Sequence, residues 1–288
     1  MPLIKLLRPH QYIKNGFVLI GPLFAHQWSQ DILQLTLFAF ISFCMVASAV
    51  YVLNDLLDIE ADKEHPTKKN RPLPSGKISL KTAWITLGLL LTGALTISFN
   101  ISIWAGSFVS TYFILNIFYS MKLKHVVILD VFIISTGFML RILVGTLGLG
   151  IMPSQWILLC GLMVTLFLGF TKRRAELLTL EAFGANSNIT RKVLDDYKPA
   201  MLEQFISITA ACTILSYGLY TVAPSTKALH GSDNLIYTLP FVVYGIFRYL
   251  FLLHQKDKGN DTAKDLLTDI HLLTTVACWA IASLWVIA

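Results

Sequence analysis

Residues 33–62 carry a long apolar run that leads directly into acidic side chains: LQLTLFAFISFCMVASAVYVLNDLLDIEAD. The run Leu33–Leu53 has 21 residues and no charged side chain, so as an α-helix it is long enough to cross the hydrocarbon core of a bilayer. A second run, Thr82–Phe99, has the same character. Placing an ionisable group at membrane depth costs free energy, so such groups usually mark functional sites. The stretch therefore predicts a helical membrane protein with polar chemistry at the mouth of a span.

The composition of the whole chain agrees with this prediction. Of its 288 residues, 55% are hydrophobic and only 14% are charged, whereas soluble domains carry about 25% charged residues. A disordered protein, a nucleic-acid-binding tail protein and most water-soluble enzymes are excluded. The net charge of +6 comes from basic loops between apolar runs, as in membrane proteins generally. We therefore expect no nucleic-acid partner.

Apolar runs bounded by charged residues, Gly, Pro or Asn predict about nine spans. They cover residues 15–28, 33–56, 82–99, 102–121, 126–147, 154–171, 204–223, 235–254 and 269–287. The first is the weakest, because Pro22 interrupts a short segment. A spanning backbone must satisfy its hydrogen bonds internally, so all spans should be helical. The predicted fold class is an all-α polytopic membrane bundle, with residues 1–288 forming a single domain.

The distribution of basic residues predicts the orientation of this bundle. Of the 23 Lys and Arg residues, 20 fall on one side of the predicted spans, and only Lys227 falls on the other. Basic residues concentrate in cytoplasmic loops, which places the N-terminus in the cytoplasm and the C-terminus outside. Two long polar loops, at about 57–81 and 172–203, are then cytoplasmic and are the natural place for chemistry. Arg141 and Arg248 lie inside spans. For Arg141 we expect a structural pair, with a catalytic role as the alternative, and for Arg248 a snorkelling side chain.

Three side chains at the start of the first loop repeat at helical spacing. Asn54, Asp58 and Asp62 are four residues apart, so a continuing helix places them on one face. Like charges at this spacing repel and do not stabilise a helix. Carboxylate and amide oxygens suit Mg²⁺, which binds one or two carboxylates together with water and substrate phosphate oxygens. The spacing predicts a magnesium site; a solvated helix cap is the alternative.

Basic residues follow this acidic column at Lys68, Lys69 and Arg71. Taken alone, such a cluster is more often a positive-inside signal. Beside a metal site, cations are what a diphosphate needs, because the metal neutralises part of its charge and the cations bind the remaining oxygens. We therefore interpret the first loop as a diphosphate-binding region.

Residues 54–62 match NDxxDxxxD, and Tyr119–Lys124 match YSxxLK; together they resemble the UbiA superfamily of intramembrane prenyltransferases. The resemblance implies catalysis on the cytoplasmic side of a bacterial plasma membrane. It implies Asn54, Asp58 and Asp62 as Mg²⁺ ligands and catalytic residues, with Lys124 as a fourth catalytic residue that contacts diphosphate together with Arg71. Asp55 and Tyr119 belong to the same motifs and are candidate substrate-binding residues, as are Lys68 and Lys69.

The second loop departs from that family, since the usual DxxxD after span six is absent. It carries KRRAEL at 172–177 and RKVLDDYKP at 191–199 instead. With RPHQYIKN at 8–15, YGIFRYL at 244–250 and LLTD at 266–269, these segments resemble the polyprenyl-phosphate phosphoribosyltransferase branch, which acts in cell-wall biosynthesis. The resemblance implies Mg²⁺-dependent transfer of 5-phosphoribose from 5-phosphoribosyl 1-diphosphate to a polyprenyl phosphate.

The candidate substrate-binding residues of the second loop are Lys172, Arg173, Arg174, Glu176, Asp195, Asp196 and Tyr197. For each of the three cations, anchoring at the membrane surface is an equal alternative. For Asp195, Asp196 and Tyr197, the alternative is an exposed helix start.

Two other functions are weighed against this one. A UbiA-type prenyltransferase that moves a prenyl chain to an aromatic or quinone-precursor acceptor is disfavoured by the missing DxxxD. A cation-coupled transporter would place charged groups near the bilayer midplane and show repeat symmetry, whereas these carboxylates follow a span end and no inverted repeat is evident.

Overall fold

The computed structural model describes residues 2–64, 68–183, 194, 196–255, 259, 265–266 and 268–287. These residues are mostly helical and include no β-strand. The α-helices are α1 (Pro2–Leu7), α2 (Ile20–Phe24), α3 (Gln30–Leu57), α4 (Ile59–Glu64), α5 (Leu80–Ile101), α6 (Ile103–Met121), α7 (Leu129–Val144), α8 (Gln155–Phe183), α9 (Pro199–Val222), α10 (Pro224–His230), α11 (Leu239–Gln255) and α12 (Ile270–Ile287). Short 3₁₀ helices cover Pro9–Leu19, Lys68–Asn70, Leu123–His125, Leu147–Leu149 and Asn234–Thr238. The predicted all-α fold class is confirmed.

Seven helical segments in the described part of the chain are long and apolar enough to cross a membrane. They are Gln30–Leu57, Leu80–Ile101, Leu129–Leu149, Gln155–Thr179, Pro199–Val222, Asn234–Gln255 and Ile270–Ile287. Each corresponds to a predicted span. The predicted span 102–121 is α6, a helix of 19 residues that is not among the seven. The membrane bundle is confirmed, whereas the count of nine is not.

The predicted span 15–28 is not one continuous α-helix. The structure has a 3₁₀ helix, Pro9–Leu19, followed by the five-residue α2. The backbone passes too close to a neighbour here for an ordinary side chain: a Cβ on Gly21 would lie 1.9 Å from the Gly145 carbonyl oxygen, and one on Gly145 would lie 1.9 Å from the Val18 carbonyl oxygen. Since a 3₁₀ helix rises about 2 Å and an α-helix about 1.5 Å per residue, the two pieces together are roughly 30 Å long.

The chain divides into two compact units. Unit 1 contains Met1–Leu23, Gln27–Lys124 and Leu140–Met152. Within it, α3 packs against α1, α5, α6 and the 3₁₀ helix Pro9–Leu19. Part of its core is formed by Leu6, Val52, Leu53, Leu73, Ile78, Ala83 and Leu87. The first polar loop is thus folded onto the end of α3, because two of its apolar residues, Leu73 and Ile78, are buried there.

Unit 2 contains Phe24–His26, His125–Met139 and Pro153–Ala288. Its main helix pair is α8 with α9, and α11 packs against both α9 and α12. Its core includes Val131, Phe167, Phe170, Leu202, Ile206, Leu252 and Leu253. The start of α12 is capped by Asp269, whose carboxylate accepts the N–H of Leu272 at 3.1 Å.

The second predicted loop, 172–203, is shorter than expected. Helix α8 continues to Phe183, and α9 begins at Pro199. The KRRAEL segment is therefore helical rather than part of a loop. Arg, Ala, Glu and Leu all favour helices, and three side chains of the segment, Arg173, Ala175 and Leu177, are buried inside unit 2. The apolar run ends at residue 171, but the helix continues because its next turn packs inside the protein.

Candidate active site

The predicted acidic column is present at the end of α3. The α-helix formally ends at Leu57, yet the Asp58 N–H donates to the Asn54 carbonyl at 2.9 Å and the Asp62 N–H donates to the Asp58 carbonyl at 2.8 Å. These are the i→i−4 bonds of an α-helix. Helical spacing is therefore kept from α3 into α4, and Asn54, Asp58 and Asp62 follow one another at successive turns as predicted.

Two side chains of the second motif, Tyr119–Lys124, form hydrogen bonds with the acidic column within unit 1. The Ser120 hydroxyl donates to Asn54 Oδ1 at 2.5 Å, and Lys124 Nζ donates to Asp58 Oδ1 at 3.2 Å. The hydrogen-bonded partners are 66 residues apart in both cases. Ser120 and Lys124 are four residues apart in the sequence, as are their two partners, so the motifs YSMKLK and NDLLDIEAD pair in matching register although α6 ends at Met121.

Asp55 and Asp62 are bridged by arginine. The Asp55 side chain is 2% exposed and receives Arg8 at 2.5 Å and Arg71 at 3.1 Å. Arg71 also donates to Asp62 Oδ2 at 2.6 Å, and Lys68 Nζ lies 3.9 Å from the same carboxylate. Arg8 additionally lies over the Tyr51 ring, 5.0 Å from its centroid. The carboxylates of this region are therefore held by four cations, counting Lys124.

The donor set of the column fits a hard divalent cation. It offers one amide oxygen and two carboxylates, and the Asp58 side chain is 42% exposed. Mg²⁺ commonly takes one or two protein carboxylates and completes its shell with water and phosphate oxygens. No group of three or more His, Cys, Asp and Glu side chains forms a metal-binding cluster in the described ranges.

The KRRAEL segment places its side chains in different environments within unit 2. Arg173 is fully buried; its Nε lies 2.7 Å from Asp130 Oδ2, and its other end contacts Glu176. The Nε–H bond is not aimed at the Asp130 oxygen, so this contact is an ion pair rather than a directed hydrogen bond. Arg174 contacts Glu203 and donates to the Leu253 carbonyl at 3.3 Å.

Lys172 is the most exposed cation of this segment. Its side chain is 38% exposed, and its Nζ lies 4.0 Å from Glu176 Oε1, a contact between successive helical turns. It is therefore the cation of the segment that is most accessible to a solvent-borne anion. Among the other candidates, Asp196 and Lys69 are exposed, and Tyr119 is partly buried. Asp195 lies outside the described residues.

Tyr197 lies inside the protein rather than at an open surface. It is 3% exposed; its hydroxyl accepts the Ile128 N–H at 2.7 Å and donates to Asp130 Oδ1 at 2.8 Å. Burial raises the pKa of Tyr197 above its ordinary value, so the hydroxyl stays protonated and remains a donor at neutral pH. The burial excludes the alternative of an exposed helix start for Tyr197, whereas a substrate-binding role stays a prediction.

Comparison with known proteins identifies the family. Residues 16–271 match the model of the UbiA prenyltransferase family. The chain belongs to the UbiA prenyltransferase family. The resemblance inferred from the two motifs is thereby confirmed.

Two relatives of this UbiA family chain carry the same name. Decaprenyl-phosphate phosphoribosyltransferase of Corynebacterium glutamicum is 34% identical over 263 residues, covering 89% of this chain and 78% of that protein. The protein of the same name from Mycolicibacterium smegmatis is 34% identical over 260 residues, covering 86% of this chain and 80% of that protein. The predicted similarity to the phosphoribosyltransferase branch is confirmed.

A solved structure supports the fold of this UbiA family chain. The structure of a UbiA homolog from Archaeoglobus fulgidus bound to GPP and Mg²⁺ superposes with a TM-score of 0.72 and covers 100% of this chain and 99% of that one. The two are 17% identical, so this likeness concerns the fold alone.

In this UbiA family chain, sequence reasoning missed Arg8 and Ser120 in unit 1 and Asp130 in unit 2. Both Arg8 and Ser120 lie in quoted motifs, but Arg8 is 47 positions from its partner Asp55 and Ser120 carries no charge. Asp130 follows no motif that the sequence analysis uses. An acid near a predicted span end together with an arginine near another span end is the only sign in the sequence that Asp130 and Arg173 could pair.

The two intramembrane arginines are both engaged. Arg141 is 5% exposed; it donates to Asn15 Oδ1 at 2.9 Å and lies 4.8 Å from the ring centroids of Phe43 and Tyr112. This fits the expected structural role. Arg248 forms an ion pair at 2.8 Å with Asp269, the residue before α12; the expected snorkelling of its side chain stays a prediction.

Proposed function

We propose that this UbiA family chain transfers a 5-phosphoribosyl group from 5-phosphoribosyl 1-diphosphate to a polyprenyl phosphate and releases diphosphate. The observation that carries the proposal is the similarity, over most of the chain, to relatives named decaprenyl-phosphate phosphoribosyltransferase. The paired motifs of unit 1 supply what such a reaction needs, namely oxygen ligands for a metal and cations for a diphosphate.

The reaction breaks the bond between ribose C1 and the diphosphate oxygen, and an acceptor phosphate oxygen forms the new bond to C1. The C1 centre gains oxocarbenium character, as in other glycosyl transfers. The acceptor phosphate is already an anion, so the protein need not remove a proton from it. The main requirement is therefore electrostatic: stabilising the negative charge that develops on the leaving diphosphate.

Asn54, Asp58 and Asp62 would hold Mg²⁺. When bound, the metal neutralises part of the diphosphate charge. Lys124 lies beside Asp58 and is placed to donate to a phosphate oxygen near the same carboxylate. Arg71 connects Asp55 to Asp62; with its side chain 31% exposed, it is the second cation in reach of an anion. Asp55 and Arg8 position Arg71 rather than contact substrate.

The exposed part of the KRRAEL segment would take a further phosphate. Lys172 is the accessible cation there, whereas Arg173 is neutralised by two carboxylates. The charge distribution of the chain supports a plasma-membrane protein with its N-terminus and both polar segments in the cytoplasm and its C-terminus outside. Both phosphorylated substrates are then reached from the cytoplasmic side, with the prenyl tail in lipid.

A comparison of two donors tests this proposal. Purified protein with Mg²⁺ and polyprenyl phosphate should convert labelled 5-phosphoribosyl 1-diphosphate into a labelled lipid, and it should not consume labelled prenyl diphosphate when offered an aromatic acceptor. The reverse result would identify an ordinary UbiA-type prenyltransferase. Proteoliposomes that accumulate a solute without forming any new lipid would identify a transporter instead.

A further inference from the structure

The backbone is strained at Ile128, in the turn that leads into α7. Ile128 has φ +68°, in the left-handed region that β-branched residues rarely adopt. Such a conformation persists only when surrounding contacts determine it, and it is enriched at functional sites. Ile128 is 39% exposed, so burial of its own side chain does not account for it. Its backbone is held on both sides: the carbonyl accepts the N–H groups of Val131 and Phe132 at 3.0 Å each, and the N–H has a side-chain contact.

That contact is the buried hydroxyl of Tyr197. It accepts the Ile128 N–H at 2.7 Å and donates to Asp130 Oδ1 at 2.8 Å, so both its donor and an acceptor site are used. The two partners lie on either side of Leu129, the first residue of α7. We call these three residues, Ile128, Tyr197 and Asp130, the Tyr197 clamp. The clamp fixes the strained turn and orients the Asp130 carboxylate at the same time.

The orientation of Asp130 matters because its second oxygen faces Arg173. Asp130 Oδ2 lies 2.7 Å from Arg173 Nε, and both side chains are at most 1% exposed. Arg173 in turn contacts Glu176, beside which Lys172 lies at 4.0 Å. A continuous series of polar contacts thus runs from the Ile128 turn to the exposed edge of the KRRAEL segment, entirely within unit 2.

We propose that Tyr197 is a positioning residue, which holds the strained turn at Ile128 and, through Asp130 and Arg173, sets the position of Lys172 and Glu176. This inference rests on the proposed function, because it assigns Lys172 to a phosphate of the substrates. The role is indirect, because the Tyr197 hydroxyl contacts Ile128 and Asp130. Close packing and the buried charge pair make the series rigid, so a displaced hydroxyl is transmitted to the segment.

The first test removes the hydroxyl and keeps the ring. Y197F should lower kcat/KM for the phosphoribosyl donor about tenfold, mainly through a higher KM. The matched control is Y217F, because Tyr217 is also buried and its hydroxyl contacts Thr238 at 2.6 Å and Trp279 at 2.9 Å. Tyr217 lies roughly 27 Å along α9 from the start of that helix. Y217F should lower the melting temperature as much as Y197F while leaving kcat/KM within twofold of wild type.

The second test relieves the strain. Glycine adopts positive φ without penalty, so I128G keeps the turn in shape without the clamp. We expect kcat/KM of the double variant Y197F/I128G to be at least threefold higher than that of Y197F. I128G alone should resemble wild type. A purely structural Tyr197 would not be rescued, because I128G restores no lost packing.

Hydrogen exchange tests the clamp independently of any substrate. In Y197F, amides of residues 126–131 should exchange at least tenfold faster than in wild type, and in Y217F they should not. Unchanged exchange in Y197F, wild-type kcat/KM in Y197F, or no recovery in the double variant would each overturn the inference. If wild type transfers no phosphoribosyl group at all, the proposed function fails, and the exchange result alone decides the clamp.

Discussion

At the residue scale, two acids of one motif lie in opposite environments. Asp55 is 2% exposed and shared by two arginines, whereas Asp58 is 42% exposed and contacts only Lys124 among the ion pairs of the described residues. The partners account for the difference, because Arg8 and Arg71 both lie against Asp55, whereas Asp58 has Lys124 beside it. We therefore propose Asp55 as a positioning residue and Asp58 as the metal ligand that is open to solvent. Asp62 is nearly as buried as Asp55 and also pairs with Arg71, so its role as a metal ligand is proposed from the motif and not from exposure.

The substitution D55N should destabilise the protein. It removes the charge that Arg8 and Arg71 share, and the arginine side chains are 23% and 31% exposed, so water compensates part of the loss. We expect a loss of about 1–3 kcal/mol in the free energy of unfolding, seen as a lower melting temperature in detergent. The control E60Q, at a side chain that is 80% exposed, should melt like wild type. Equal melting of D55N and E60Q would contradict the positioning role.

The sequence predicted the acidic column but not its partners. Asn54, Asp58 and Asp62 follow from helical spacing alone, which is a local property. The contacts of Arg8 with Asp55 and of Ser120 with Asn54 join residues 47 and 66 positions apart. No periodicity encodes such distances; they depend on how α1, α3 and α6 pack. The motif YSMKLK was correctly predicted to belong to the same region, and the structure shows that Ser120 is its residue in contact with Asn54.

At the element scale, the cytoplasmic part proposed for α8 places two neighbouring cations, Lys172 and Arg173, in different environments. The membrane run was expected to end at a loop, but helix-favouring residues and internal carboxylates extend the helix to Phe183. One consequence is that Arg173 and Lys172 have opposite exposures. A hydropathy pattern could not predict this, because it treats every charged residue as a sign that the chain has reached water.

Alanine at these two neighbours should therefore have opposite effects. R173A leaves Asp130 buried without its cation, and breaking a buried pair costs about 3–5 kcal/mol. K172A removes a half-exposed charge, so stability should change by less than about 1 kcal/mol, while KM for the phosphoribosyl donor should rise about tenfold. Thermal unfolding and steady-state kinetics separate the two. A stable R173A with the kinetics of K172A would show that both bind phosphate directly.

The N-terminal segment depends on a close backbone approach inside unit 1. A Cβ on Gly145 would lie 1.9 Å from the Val18 carbonyl oxygen, whereas one on Gly88 would meet no atom within 4 Å. We expect G145A to lower the melting temperature by several degrees, as expected for a destabilisation of about 2 kcal/mol or more. G88A should melt at or above the wild-type temperature, because alanine favours a helix over glycine. Equal melting temperatures would contradict this packing.

At the scale of the whole molecule, charge predicts orientation while length and hydropathy predict the spans. Seven spans were found at their predicted places. The predicted N-terminal span was not found as one continuous helix. Its shape depends on the close approach of Gly21 to Gly145, a tertiary contact that hydropathy does not encode. The overall class was thus readable from composition and hydropathy, since a bilayer permits so few backbone solutions.

Labelling of single cysteines tests the orientation. In a background with the four native cysteines replaced by alanine, K77C should be labelled by a membrane-impermeant maleimide only after the cells are opened, because Lys77 belongs to the proposed cytoplasmic side. K227C should be labelled in intact cells. Lys77 is exposed and the Lys227 side chain is 38% exposed, so both sites are reachable. Labelling of both in intact cells, or the reverse order, would contradict the orientation.

The central claim is that Asn54, Asp58 and Asp62 bind a divalent metal together with a diphosphate, and Mn²⁺ binding followed by electron paramagnetic resonance tests it most directly. With diphosphate present, we expect the wild-type protein and E60Q to bind one Mn²⁺ per chain, and D58N to bind it at least tenfold more weakly while melting at the wild-type temperature. A folded D58N that binds Mn²⁺ and diphosphate as tightly as wild type would contradict the claim.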